Sequence, residues 1–283
     1  MIKKVIILCV TMFFAVCAVA GYGFYRATKT PSNNAEAFLK SKIDPSKNIA
    51  VFMGDSLTHG AVSYDYVAEL SKDNELNNFI FINEGINSQL AYQQLGKIDR
   101  IVKMKPNEIF ILIGTNDCRA TLSDAEYERF NALRKLSVKP TKVWFAHSLR
   151  TLVDHLKANT EARVTLISIP PLGEKADSLP FQRSMEYSQA IKQIAKEKKV
   201  GYIAFNETLT DAIIQYGKKD IKGYELDLGS MYGAIFSHYL LLQSWDDISD
   251  KRGLQFLTDN LHLNRRGGDI LTAKIKERLL SKQ

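Results

Sequence analysis

The chain has 283 residues, 45% of them hydrophobic and 24% charged, which allows one substantial buried core with room for an N-terminal extension. Its formal charge of +7 is compatible with anionic membranes or wall polymers, but the basic residues are scattered and do not interleave with aromatics as in a base-stacking surface, so nucleic acid is excluded as the expected partner. Cys9 and Cys17 lie in an N-terminal apolar run and only Cys118 lies beyond it, so no internal disulfide is expected, and no cysteine and histidine spacing resembles a metal site.

The first element is that apolar run. Lys3 and Lys4 precede Val5 to Tyr25, which holds no charged residue, and Arg26 and Lys29 follow. Two readings are open. Ala18-Val19-Ala20 fits the small-residue site of a cleavable signal. The run is also about long enough to span a bilayer, with Tyr22, Phe24 and Tyr25 at the outer interface and the lysines inside. Both readings place the rest of the chain outside the cytoplasm. Residues 1–27 are thus expected to be a signal peptide or transmembrane anchor, and residues 28–47 a linker and lead-in containing Thr30-Pro31-Ser32-Asn33-Asn34. Residues 48–283 are expected to form one domain.

A strand-like run, Ile49 to Met53, ends in Gly54-Asp55-Ser56-Leu57. A strand breaking into a sharp turn before a helix exposes a serine hydroxyl and aims backbone N–H groups at an oxyanion; Gly-Asp-Ser is equally ordinary turn chemistry. A second run, Phe79 to Ile82, breaks at Asn83-Glu84-Gly85, where the glycine either turns its N–H toward a bound carbonyl or supplies positive φ. A third, Glu108 to Ile113, leads into Gly114-Thr115-Asn116-Asp117, whose asparagine either donates its amide to an oxyanion or caps a turn. Two more runs follow, Val164 to Ile169 and Tyr202 to Phe205. Between the strands lie segments of helical period, such as Leu149, Leu152, Val153 and Leu156.

The segment 231–242, Met-Tyr-Gly-Ala-Ile-Phe-Ser-His-Tyr-Leu-Leu-Leu, is apolar on all sides, which predicts a helix buried against the body of the domain; the alternative is a wall or lid for an acyl chain. Next comes Thr258-Asp259-Asn260-Leu261-His262, in which an acid three residues before a histidine can fold back and orient the ring. A capped helix start with an incidental histidine is the other reading. Arg265 to Lys282, with Leu271, Ile275 and Leu279 on one stripe, predicts a terminal helix packed on the sheet.

Continuous apolar strands alternating with amphipathic helices predict a three-layer α/β/α sandwich on a five-stranded parallel sheet, plus an N-terminal apolar helix. The four blocks Gly54-Asp55-Ser56-Leu57, Asn83-Glu84-Gly85, Gly114-Thr115-Asn116-Asp117 and Asp259-Asn260-Leu261-His262, in this order, resemble the SGNH hydrolases, also called the GDSL esterase and lipase family. The resemblance spans roughly residues 48–280 and implies a flavodoxin-like fold and an esterase, lipase or thioesterase activity. It also implies Ser56 as nucleophile, His262 as general base and Asp259 as its orienting carboxylate. An oxyanion hole of Ser56, Gly85 and Asn116 is implied as well, with no cofactor.

The expected partner is a small-molecule, lipid or carbohydrate ester, with the membrane reached through the N-terminal segment. An O-acyltransferase acting on a cell-envelope polysaccharide, and a catalytically silent carbohydrate- or lipid-binding module, are the alternatives. The stretches 119–142 and 208–253 exceed what a minimal member would need and bear on the substrate rather than the chemistry. His59 is expected at the rim, His147 and His155 at the surface, and Cys118 as a small buried thiol.

Overall fold

The computed structural model describes residues 18–42, 44–216, 221 and 228–281. Its centre is a sheet of five parallel strands, β1 (Asn48–Gly54), β2 (Phe79–Gly85), β3 (Glu108–Leu112), β4 (Arg163–Ile167) and β5 (Gly201–Ile203), in the order β2-β1-β3-β4-β5. The helices, in chain order, are α1 (residues 18–28), α2 (Ala35–Leu39), α3 (Ser56–His59), α4 (Tyr66–Leu70), α5 (Ile98–Met104), α6 (Thr115–Arg119) and α7 (Asp124–Arg134). They continue with α8 (Lys142–Asn159), α9 (Leu179–Lys198), α10 (Phe205–Tyr216), α11 (Leu228–Tyr239), α12 (Trp245–Lys251) and α13 (Arg265–Leu280).

Successive strand residues point to opposite faces, and here both faces are covered, so the strands read as unbroken apolar runs rather than as alternation. Val51, Met53, Ile109, Ile111 and Leu166 pack against α8 and α9 through Leu152, Leu156 and Ile191. On the other face Ala50, Phe52, Phe110 and Leu112 pack against α4 through Val67, α10 through Leu209, and α13 through the stripe of Leu271, Ile275 and Leu279. Phe52 and Phe110 stack across β1 and β3 with ring centroids 5.1 Å apart. The three layers and five parallel strands expected from the sequence are therefore present. One boundary shifts: Phe205 opens α10 rather than closing β5, because its side chain is fully buried as the first turn of that helix.

The expected linker is docked rather than free. Asn33 accepts the Asn83 N–H at its carbonyl and donates its amide to the Phe81 carbonyl at 3.0 Å, which covers the edge strand β2. Asn34 caps α2, and the Ala35 N–H reaches Glu84 Oε1 at 2.8 Å. Most of the apolar run 5–25 lies outside the described residues, and among the described residues no helix is long and apolar enough to cross a membrane. The helix α1, which begins in that run, packs on the domain just beyond it: Ala27 is buried with Val62 and Ile235, and Asn87 donates to the Ala27 carbonyl at 2.8 Å.

The strand order fixes where a site can form. The chain leaves β1 toward β2 on one side and returns past it to β3 on the other, so the crevice at the carboxyl ends of β1 and β3 is the switch point of the sheet. Ser56 follows β1 and Asn116 follows β3.

Candidate active site

Gly54 ends β1 between Gly85 and Leu112 of its neighbours. A Cβ there would meet Thr58 Oγ1 at 2.0 Å and the Leu112 carbonyl at 2.5 Å, so only glycine lets the chain turn this tightly into α3. Asp55 caps the turn, its Oδ1 accepting the Leu57 N–H at 3.0 Å. Ser56 is thereby the first residue of α3, and its Oγ lies 2.9 Å from His262 Nε2.

The histidine is fixed from the other side. His262 Nδ1 is 2.8 Å from Asp259 Oδ2, while Asp259 Oδ1 accepts the N–H groups of His262 at 2.8 Å and Leu261 at 3.2 Å. A carboxylate can only accept, so the ring proton sits on Nδ1 and leaves Nε2 free to take the serine proton. Burial opposes the charge on Asp259, but the His262 ring and the two N–H donors outweigh it and hold the carboxyl below its ordinary value. The sequence-predicted Ser56, Asp259 and His262 are thus brought into one hydrogen-bonded row, which can move a proton from hydroxyl to imidazole.

The loop carrying Asp259 and His262 is clamped at several points. Thr258 donates its N–H to the His262 carbonyl at 2.7 Å, Leu257 bridges Leu263, and Ser63 Oγ accepts the Leu263 N–H at 3.0 Å. Glu174, in the loop between β4 and α9, is 4% exposed. Its Oε1 accepts the N–H groups of Phe256 and Leu257, both at 2.7 Å, and its Oε2 accepts that of Gln255 at 2.9 Å. Burial pushes its carboxyl up, against the three N–H donors and Arg266. Nothing in the sequence marks Glu174; it is an acid in a loop with no motif around it.

The three expected oxyanion donors do not all meet. Ser56 and Asn116 line one cleft of about 1020 Å³ together with His262, but Gly85 does not. The Gly85 N–H is donated to Asn83 Oδ1 at 2.9 Å, and a Cβ at Gly85 would meet His59 N at 2.1 Å. Gly85 is required for the close approach of β2 to α3, so its expected role in the oxyanion hole is corrected. From the same loop, Asn87 and Ser88 line the cleft instead, and Ser88 takes the left-handed φ of 59°. Among the described residues the backbone N–H groups of Ser56 and Ser88 have no acceptor. Asn116 Nδ2 donates to the Gln89 carbonyl at 3.0 Å and, more weakly, to Asp55 Oδ2 at 3.3 Å. Burial pushes Asp55 up to about 6 and Asp117, the next residue after Asn116, up to about 7.

Other expectations separate cleanly. His59 is buried rather than at the rim, and burial pushes it down to about 4, so it is neutral at physiological pH. Cys118 is a buried thiol, as expected, and His147 and His155 are exposed on α8. The apolar helix predicted to be buried is α11, and only one side of it is: Ala234 and Ile235 are buried, whereas Tyr232 is 54% and Phe236 46% exposed, and both line the cleft. The helix is held near its start by Arg252 Nη2 donating to the Ser230 carbonyl at 2.6 Å, and at its C-terminal end by Tyr239 Oη donating to the Ala61 carbonyl at 2.6 Å and by His238 stacking on Trp245 at 3.9 Å. Among the described residues no group of histidines, cysteines and acids is arranged to hold a metal ion.

Known proteins share this geometry's framework. The sequence model of the GDSL-like lipase/acylhydrolase family matches residues 52–270. Axe2, an acetylxylan esterase from Geobacillus stearothermophilus, is similar in structure with a TM-score of 0.57 at 16% identity, over 84% of this chain and 96% of that one. The acetyl xylan esterase AlAXEase gives a TM-score of 0.55 at 15% identity, over 82% of this chain and all of that one. No curated protein matches the chain in sequence.

Proposed function

Since the chain belongs to the GDSL-like lipase/acylhydrolase family and is a hydrolase of ester bonds, we propose that Ser56, His262 and Asp259 carry out its reaction as a two-step acyl transfer. The Ser56 Oγ attacks the ester carbonyl as its proton passes to His262 Nε2, and the imidazolium is stabilised by Asp259. Collapse of the tetrahedral intermediate breaks the bond to the alcohol, which leaves with the proton from His262. Water then attacks the acyl-enzyme, giving its proton to His262, and the acid departs as Ser56 recovers its hydroxyl. The observation that carries this reading is the unbroken row Ser56 Oγ to His262 Nε2 at 2.9 Å and His262 Nδ1 to Asp259 Oδ2 at 2.8 Å.

For the oxyanion, the donors supported by the geometry are the N–H groups of Ser56 and Ser88 and the Asn116 amide. The 3.3 Å contact of that amide with Asp55 is the weaker of its two bonds and the one given up as negative charge develops on the substrate. Substrates are small-molecule, lipid or carbohydrate esters. The uncharged run Val5 to Tyr25, with lysines before it and Arg26 and Lys29 after it, supports an extracytoplasmic location reached through a cleaved signal or a retained anchor. Residues 48–283 then act as the hydrolase domain.

Replacing Ser56 with Ala is expected to lower kcat on chromogenic esters by about 10³-fold or more and to abolish labelling by an active-serine phosphonate. Full activity in the purified, folded variant would overturn the assignment.

A further inference from the structure

The cleft beside Ser56 is built from two unlike materials. Its apolar lining includes Gly23 and Phe24 of α1, Met231 and Phe236 of α11, and Leu240 just after that helix. The same cleft is lined by Arg119 from α6 and, from α7, by Arg129 and Arg134 with Ala132 and Leu133 between them. Among the described residues no carboxylate lines the cleft. The nearest counter-charge is Glu126, which lies 2.9 Å from Arg129 and 3.5 Å from Arg119, so one carboxylate serves two guanidinium groups. Arg134 has no carboxylate at all among the described residues; its Nε donates to the Ser88 carbonyl at 3.2 Å and its Nη2 to that of Asn87.

Arg119 is the informative member. It is 4% exposed, and its Nε and Nη2, themselves shut off from solvent, make no hydrogen bond, although Nη2 stands 3.5 Å from Glu126. A buried guanidinium with unmet donors carries a desolvation cost that one carboxylate at 3.5 Å offsets only in part, so a further anion beside the group is favourable. Phe130, 5.4 Å away, satisfies one face of the group but not its N–H edge. The cleft is therefore lined both by three guanidinium groups that share one paired carboxylate, Glu126, and by a set of apolar side chains.

We propose that the cleft is built for the ester of an anionic amphiphile, with the acyl chain along the α1–α11 wall and a phosphate or carboxylate group against Arg119, Arg129 and Arg134. This rests on the serine mechanism above and narrows its substrate. A planar guanidinium pair matches the oxygens of either anion in bidentate fashion, so the two share one chemistry here. A neutral acetylated sugar would use neither wall: it has no chain for the groove and no charge for the arginines.

The test uses the full-length chain and matched esters at submicellar concentration: 1-decanoylglycerol, 1-decanoylglycerol 3-phosphate, 3-decanoyl glycerate and 1-acetylglycerol 3-phosphate. The phosphate and glycerate arms decide which anion is preferred. At least one anionic decanoyl ester is expected to exceed the neutral one in kcat/KM by about tenfold or more, the worth of one charge-assisted hydrogen bond, and the advantage should shrink with added salt. In Arg129→Gln that ratio falls by about fivefold or more, and in Phe236→Ser the decanoyl to acetyl ratio falls instead. Equal kcat/KM for neutral and anionic decanoyl esters, or ratios unmoved by both substitutions, overturns the proposal while leaving the serine mechanism standing. Inactivity on all four esters together with absent phosphonate labelling overturns the mechanism and the proposal with it.

Discussion

Replacing Glu174 with Gln tests whether the loop that carries Asp259 and His262 is positioned from outside the reacting groups. The carboxylate accepts three backbone N–H bonds, from Gln255, Phe256 and Leu257. A glutamine keeps one acceptor oxygen, which can serve Phe256 and Leu257, but it turns an NH2 group toward the Gln255 N–H. One charge-assisted bond is lost, worth about 1.5–3 kcal/mol, and two donors then oppose each other. Removing a buried charge offsets part of this. Alanine would leave all three N–H groups unmet at about 1–3 kcal/mol each, which threatens folding and makes it the less informative variant.

Since Phe256 and Leu257 lie a few residues before Asp259, a shift of the strand-like segment carries the imidazole with it. A displacement of about 1 Å in a reacting group can cost about 10²-fold. In Glu174→Gln, kcat on a short chromogenic ester is therefore expected to fall by about 10- to 10²-fold at neutral pH while KM stays within about twofold. The pH dependence separates positioning from mere stability. Glu174 is pushed up by burial, so it loses its charge as pH falls through that raised value, and the kcat advantage of the wild type over the variant should shrink toward acid pH. A lowered melting temperature with unchanged kcat at neutral pH would refute the positioning role.

Asn116→Ala should lower kcat by about 10²- to 10³-fold with little change in KM, as for loss of one oxyanion donor, and near-normal rates would remove the amide from that role. Asp117 is buried with Oδ1 unpartnered, and burial lifts it from 3.8 to about 7. The folded chain thus holds this proton more tightly than the unfolded chain. Stability relative to Asp117→Asn should fall as pH rises from about 4 to about 7 and stay level above, by at most roughly 4 kcal/mol in total. Urea unfolding of both proteins at several pH values measures this; a constant difference across the range would show that the carboxyl is not perturbed.

Ser56, Asp259 and His262 are legible in the sequence because each sits in a short block whose local turn chemistry and position at a strand exit or helix start can be read without knowing the fold. Gly85 misleads for a physical reason. Glycine invites an assignment of positive φ, but here its missing Cβ serves the contact with α3, while the left-handed residue of that loop is a serine, Ser88. Glu174 is invisible because its function is to accept N–H bonds from residues some eighty positions away, and no spacing encodes that. For α11, apolarity on every side predicts burial, but only the side with Ala234 and Ile235 is buried in the domain, and the other lines an apolar cleft with Tyr232 and Phe236.

The parts of the site differ in where they come from, and this bears on how substrate and chemistry relate. Ser56 and Asn116 stand at the carboxyl ends of adjacent central strands, held by a register that pairs Gly54 with Leu112. Changing their spacing would require breaking the sheet. The cleft walls come instead from α1, α7 and α11, of which α1 lies outside the residues 52–270 that match the family, and α7 and α11 fall in the two long stretches between the blocks. Among the described residues α7 and α11 place no side chain in the two clusters that pack on the sheet: α7 buries one hydrophobic side chain, Phe130, and α11 buries Ala234 and Ile235, all outside those clusters. Their side chains can therefore change without disturbing the row from Ser56 to Asp259. The separation argues that substitutions on these walls should move the ratio of rates between esters, whereas substitutions at the strand ends should move all rates together.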